Sequence, residues 1–135
     1  MAVFNDPKKL AAHLKKALDA QMALTLISVQ AELGSDAISP KDTGRLRSSW
    51  FAAEGQASSE VAPEGSDSAN TDAQGLRVDA SKDYHLTNSL DYAQYICLEG
   101  IAVAKSPTWY KDFRSSRIPK IQKESAEQVK RAFDL

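Results

Sequence analysis

Three side chains in this sequence have the chemistry of a nucleophile or a base near neutral pH: His13, His85 and Cys97. A cysteine nucleophile needs a histidine within hydrogen-bond reach and a third group to orient that histidine. His85 and Cys97 lie on neighbouring stretches of chain, so the pair can approach. Cys97, however, stands between Ile96 and Leu98, the setting of a small core residue rather than of a reactive thiol. Paired carboxylates occur only in a polar stretch where nothing fixes their separation. There is no HExxH, phosphate-cradling glycine loop, GxSxG elbow or zinc-type spacing. A single cysteine rules out an internal disulfide framework and a cysteine zinc cluster. The sequence therefore points away from an enzyme. It offers no catalytic, cofactor-binding or metal-ligating residue, and the chemistry to look for is that of binding and assembly.

Charge is distributed unevenly enough to suggest a partner. From Lys105 to Arg131 eight basic residues (Lys105, Lys111, Arg114, Arg117, Lys120, Lys123, Lys130 and Arg131) face only Asp112, Glu124 and Glu127. Trp109, Tyr110 and Phe113 interleave with them, a composition compatible with nucleic-acid binding. A solvated helix with buried aromatics has the same composition. Between Ala53 and Gly75 the balance reverses: Glu54, Glu60, Glu64, Asp67 and Asp72 stand with no lysine or arginine. The basic C-terminal face and the acidic stretch are complementary, and can meet between neighbouring copies. The formal net charge of the whole chain is −1, so no global basic field holds nucleic acid.

These residues must be positioned by a single domain of 135 residues, with 42% hydrophobic and 26% charged residues, the balance of an ordinary globular protein. Asn5 or Asp6 can cap a first helix, and Pro7 suits its first turn. Leu10, Leu14, Leu18, Met22, Leu26, Val29 and Leu33 follow at steps of three or four, and Gly34 ends the pattern. A helix from Asp6 to Leu33 is ~40 Å long at the standard rise, long for a small domain. One end is expected to protrude, or to pack on the sheet and a neighbouring subunit together. The N-terminus carries no long apolar run, so neither a signal peptide nor a membrane span is expected, and the cytoplasm is the expected site of synthesis.

Ser35 to Asp42 reads as a loop. The stretch Pro40-Lys41-Asp42-Thr43-Gly44-Arg45-Leu46-Arg47-Ser48-Ser49-Trp50 reads as a tight turn opening a short amphipathic helix. Asp42 or Thr43 can cap it, Gly44 tolerates unusual backbone angles, and Leu46 and Trp50 fall four residues apart on one face. Arg45 and Arg47 point elsewhere, at least one of them toward an acidic partner in this chain or the next. A strand can start at Phe51 to Glu54. From Gly55 to Gln74 the composition cannot bury enough surface to order itself, and a flexible acidic loop is expected. Leu76 to Ala80 and Tyr84 to Asn88 alternate as half-buried strands, and the turn between them makes them a hairpin. Asp91 to Leu98 reads as a helix ended by Gly100. Ile101 to Ala104 is ambiguous between strand and loop. Beyond Pro107 a helical region follows, anchored by Trp109, Tyr110 and Phe113, broken or restarted at Pro119, and continuing through Ile121, Val129 and Phe133. The fold class is α+β: a long N-terminal helix and C-terminal helices flanking a small, mainly antiparallel sheet with a long acidic loop.

Two stretches in this order carry a resemblance. Asp42, Thr43, Gly44, Leu46 and Ser49 or Trp50 are followed, beyond the sheet-forming segments, by Tyr92, Ala93, Tyr95 and Gly100, with Glu99 in the displaced acidic position. The pair resembles the tail-completion or head–tail joining proteins of long-tailed bacteriophages, over roughly Pro40 to Gly100. The resemblance implies a structural virion protein assembled in the host cytoplasm. It would form a ring, six subunits by default, that joins the tail tube to the neck. Its partners would be further copies of itself, neck or connector proteins and the tail tube protein, with DNA only passing through. Asp42, Thr43, Gly44, Leu46, Trp50, Tyr92, Tyr95 and Gly100 would be the structural motif, and Arg45, Arg47, Glu99, Arg114 and Arg117 the interface candidates. A second class stays open: a small cytoplasmic nucleic-acid-binding module using the basic C-terminal face.

Overall fold

Asp6 starts the first helix by accepting the Lys8 N–H on its carboxylate at 2.9 Å, and Pro7 fills a first-turn position where its missing N–H costs nothing. This helix, α1 (Pro7–Leu33), closes at Gly34. The computed structural model describes residues 5–35, 44–99 and 108–135. Asp42, Thr43, Gly100 and the ambiguous stretch from Ile101 to Ala104 lie outside the described residues. The apolar stripe of α1 has two fates. Leu26, Val29 and Leu33 are buried, whereas Leu10, Leu14 and Leu18 are 39%, 42% and 57% exposed. Ala17, between them, is buried and His13 bonds to the far end of the chain, so these leucines mark an outward face of a packed helix rather than a protruding end.

The elements after α1 run α2 (Arg45–Ser48), β1 (Trp50–Glu54), a 3₁₀ turn (Asp72–Gly75), β2 (Tyr84–Asn88), α3 (Ala93–Cys97), α4 (Trp109–Asp112), a π-helical turn (Phe113–Arg117) and α5 (Ile118–Ala132). Pro119 restarts rather than ends the helical run. The Ile118 N–H reaches back five residues to the Phe113 carbonyl, and this wider turn takes up the hydrogen bond and the space that a proline denies an ordinary α-helix. α5 lies antiparallel on α1. Arg117, just before α5, pairs with Glu32, while His13 meets the Phe133 carbonyl at 2.7 Å at the other end.

β1 and β2 form a two-stranded antiparallel sheet, with Trp50 opposite Asn88 and Glu54 opposite Tyr84. Two expectations are corrected here. Trp50 is not on the short helix: α2 ends at Ser48, and Trp50 is the first residue of β1. Leu76 to Ala80 is not a strand and does not pair with β2, because β1 takes that place, and the Gly55 N–H extends the ladder to the Asp83 carbonyl. Residues 76–80 are instead tied elsewhere. The Ala80 N–H donates to Asp19 on α1, and the Asp79 carboxylate turns back on Ser81. α3 also begins later than Asp91, at Ala93.

The core lies where α1, the sheet and the C-terminal helices meet. Val29 and Leu33 pack there with Leu46, Trp50, Leu90, Ile96, Trp109, Phe113 and Ile121. The acidic stretch is not a free excursion. Ala62 and Ala73 are buried at 5% and 1% exposure, and polar side chains pin the backbone between them. A composition poor in large apolar residues is thus ordered by hydrogen bonds rather than by its own core. The architecture is α+β: a long N-terminal helix and C-terminal helices around a small antiparallel sheet.

Candidate interaction surface

The two stretches that stand out in the sequence meet in the core. Leu46 is fully buried and Trp50 is 4% exposed, and the Asn88 side-chain amide donates to the Leu46 carbonyl at 2.7 Å, tying α2 to the end of β2. Ala93 and Ile96 of α3 belong to the same cluster. Trp109 donates its indole N–H to the Ile96 carbonyl at 3.1 Å, so α4 is hung on α3. Tyr110 stacks on Trp50 with ring centroids 5.9 Å apart. Tyr92 stands at the start of α3 and packs on the cluster, while Tyr95 points away and is 46% exposed.

The arginines have different tasks from those the sequence suggests. Arg47 is buried. Its guanidinium donates to the Asp67 carboxylate at 2.6 Å and to the Asp67 carbonyl at 3.0 Å. Arg45 donates from Nε to the Ala62 carbonyl at 2.7 Å. Both therefore hold the acidic stretch against α2 within one chain. The expected acidic partner of Arg47 is intramolecular. Arg117 is likewise spent inside the chain, on Glu32 at 2.5 Å with Glu124 beside it at 3.8 Å; the hydrogen bond to Glu32 holds its protonated form still more firmly than usual. Of the interface candidates, Arg114 and Glu99 are exposed. Arg114 lies over the Tyr110 ring, 5.8 Å from its centroid.

Sequence reasoning passed over Gln30. It is 1% exposed and joins three elements: its amide donates to the Trp50 carbonyl at 3.0 Å and to the Asp72 carboxylate at 2.5 Å, and its carbonyl accepts the Ala73 N–H at 3.0 Å. Asp72 in turn accepts the Ala52 N–H at 3.1 Å. The available signal was a polar residue beside Val29, on the buried side of the stripe.

A nucleophilic role for Cys97 finds no support in this geometry. Burial pushes its thiol up to about 12, which leaves almost no thiolate at neutral pH. Strand alternation sends His85 to the opposite face from Leu86, and Leu86 packs on the cluster that contains Cys97. His13 is engaged with Phe133 at the far end of α1. Among the described residues no group of three or more His, Cys, Asp or Glu is placed to hold a metal ion, and no helix is long and apolar enough to cross a membrane.

Cys97 instead floors a groove. One part, about 220 Å³, runs between the end of β2 and α3 and is lined by Trp50, Leu86, Thr87, Ala93, Leu98 and Tyr110 among others. The adjoining part, about 500 Å³, shares Cys97, Leu98 and Tyr110 and adds Lys111, Arg114 and Ser115. Leu98, 68% exposed, stands on its border. Apolar walls with two cations at one end suit the binding of a partner. Comparisons with protein families, with curated proteins and with solved structures give no match.

Proposed function

We propose that this chain is a structural virion protein of the head–tail junction, a tail-completion or tail-terminator protein that works as a ring joining the tail tube to the neck. The observation that carries the reading is the convergence of the two resembling stretches. Leu46 and Trp50 from the first and Ala93 and Ile96 from the second pack in one cluster, and Asn88 bonds across to Leu46. Residues that build a scaffold are expected to behave this way. The exposed leucines on the outer face of the N-terminal half of α1 supply apolar surface for a neighbouring copy, in line with the enrichment of such patches at association sites. Six subunits are the default the resemblance implies. Neck or connector proteins and the tail tube protein are the proposed partners, and DNA passes without being held.

The test is assembly. Purified protein, alone and mixed with its tail tube protein, is followed by light scattering and negative-stain microscopy, and particles lacking it are inspected for unjoined heads and tails. Rings of one size, with heads and tails failing to join when the protein is absent, support the reading. A persistent monomer that retards DNA in a salt-dependent gel shift favours the nucleic-acid-binding module instead.

A further inference from the structure

The two outer edges of the sheet are treated differently. In the ladder, Gly55 and Asp83 are a hydrogen-bonded pair, so by alternation Ala53 with His85 and Phe51 with Thr87 are too. Trp50 and Ala52 on β1, and Tyr84, Leu86 and Asn88 on β2, therefore turn their backbone groups outward. On β1 two of those groups are met by side chains: Gln30 donates to the Trp50 carbonyl, and the Asp72 carboxylate accepts the Ala52 N–H. On β2 no hydrogen bond meets the outward N–H and C=O groups of Tyr84, Leu86 and Asn88 among the described residues. A bare edge of this kind is a template for another strand.

The groove lies beside that edge. Leu86, Thr87 and Asn88 line it, with Trp50 and Tyr110. One polar atom of these lining residues, the Trp50 indole N–H, is buried on the Leu86 face of the sheet without a hydrogen-bond partner. A buried donor left in that state costs free energy unless something meets it. Lys111 and Arg114 stand at the far end, and neither forms an ion pair with a described carboxylate.

We infer that the β2 edge and its groove form a strand-addition site for an extended segment of another protein that alternates apolar and acidic residues. Its backbone pairs with Tyr84, Leu86 and Asn88. An apolar side chain enters between Leu86, Cys97 and Tyr110. A carboxylate meets Lys111 and Arg114, and a backbone or side-chain oxygen accepts the Trp50 indole N–H. Main-chain pairing supplies affinity and the alternate side chains supply selectivity, as in other strand-addition sites. The inference does not depend on the head–tail reading; it concerns what this face binds.

The experiment uses the full chain, isotopically labelled, and a blocked peptide of alternating valine and glutamate, titrated to millimolar concentration. The Trp50 indole proton is expected to shift. The Tyr84 and Leu86 amides, fast-exchanging in the free protein, are expected to slow by roughly tenfold or more at saturation. The double variant Lys111→Glu/Arg114→Glu, altered only at exposed positions, is expected to weaken binding by about tenfold. A peptide N-methylated at alternate residues, which keeps its side chains but cannot pair, is expected not to bind. Several outcomes overturn the inference: Leu86 and Tyr84 amides already slow without peptide, undiminished binding of the N-methylated peptide, equal binding of a valine–lysine peptide, or no response at millimolar peptide. Concentration-dependent slowing of the same amides in the protein alone makes a second copy the occupant and also overturns it.

Discussion

Gly44 and Asp67 touch so closely that no side chain fits between them. A β-carbon built on Gly44 would stand 2.8 Å from the Asp67 α-carbon and nearer still to its carboxylate, and Gly44 holds φ at +39°. The glycine of the first resembling stretch thus has a physical reason. The backbone turns into α2 in a left-handed conformation while the acidic segment crosses directly over it, and Arg47 locks Asp67 in place there.

Gly44→Ala is expected to destabilise the fold by at least ~2 kcal/mol, since the left-handed angle and the collision with backbone add. Its thermal unfolding midpoint should fall further than that of Gly55→Ala, where φ is +80° but nothing lies within 4 Å of the added carbon. Equal losses at the two sites would mean that the contact with Asp67 contributes nothing.

Trp50 is buried, stacks on Tyr110 and sits in the cluster that joins sheet and helices. Trp50→Ala should cost ~3–5 kcal/mol, the usual loss for a buried large aromatic. Chemical denaturation reads it directly. A midpoint unchanged from the parent would remove Trp50 from the core and, with it, the structural role of the first stretch.

Parts of this architecture are legible from local rules and parts are not. The Asp6 cap, Pro7 and the period of the leucines set both ends of α1, because all three signals are local. The placement of Trp50 is not local. Four-residue spacing from Leu46 fits a helix, but the chain leaves α2 at Ser49 and the buried pocket is reached from a strand. Leu76 to Ala80 alternates as a strand should, yet β2 pairs with β1, about 30 residues earlier in the chain, and alternation alone does not name a partner. The acidic stretch looks unstructured because its order comes from Arg45, Arg47 and Gln30, all outside it. Of the interface candidates Glu99 and Arg114 are exposed, and Tyr95 of the structural motif is exposed too, whereas Arg117 is committed to Glu32, a pairing across 85 residues that spacing cannot reveal.

Gln30 offers a sharper test of the polar seam. Gln30→Leu keeps the volume but leaves the Trp50 carbonyl and the Ala73 N–H without their partner in a buried place, and takes one of two donors from Asp72 Oδ1. Each lost bond of this kind costs ~1–3 kcal/mol, discounted where Asp72 reaches solvent. The variant should lose at least ~2 kcal/mol. Backbone amide exchange should quicken first at Ala52 and Ala73, where the acidic segment is fastened to α1 and β1. Stability equal to the parent would show that water replaces the amide freely and that the seam is not sealed.

The turn at Asp79 makes a prediction about acid. Asp79 accepts hydrogen bonds from the Ser81 hydroxyl and N–H, with Lys15 beside it at 3.3 Å, and these hold its carboxyl down to about 2 from an ordinary 3.8. Asp19 is lowered as well, first by the Ala80 N–H and then by Lys15. A carboxylate whose folded value is depressed favours the folded state fully above its unfolded value, and that contribution disappears as pH falls through the folded value. Stability from this turn should therefore be constant above about pH 4 and decline between about pH 4 and 2. The contact it loses is the one fastening residues 79–81 to α1, so the turn should loosen before the core does. Unfolding midpoints measured across that window should fall less steeply for Asp79→Asn, which retains an acceptor for Ser81 but has no proton to gain. Parallel curves for parent and variant would show that Asp79 is not held by this turn.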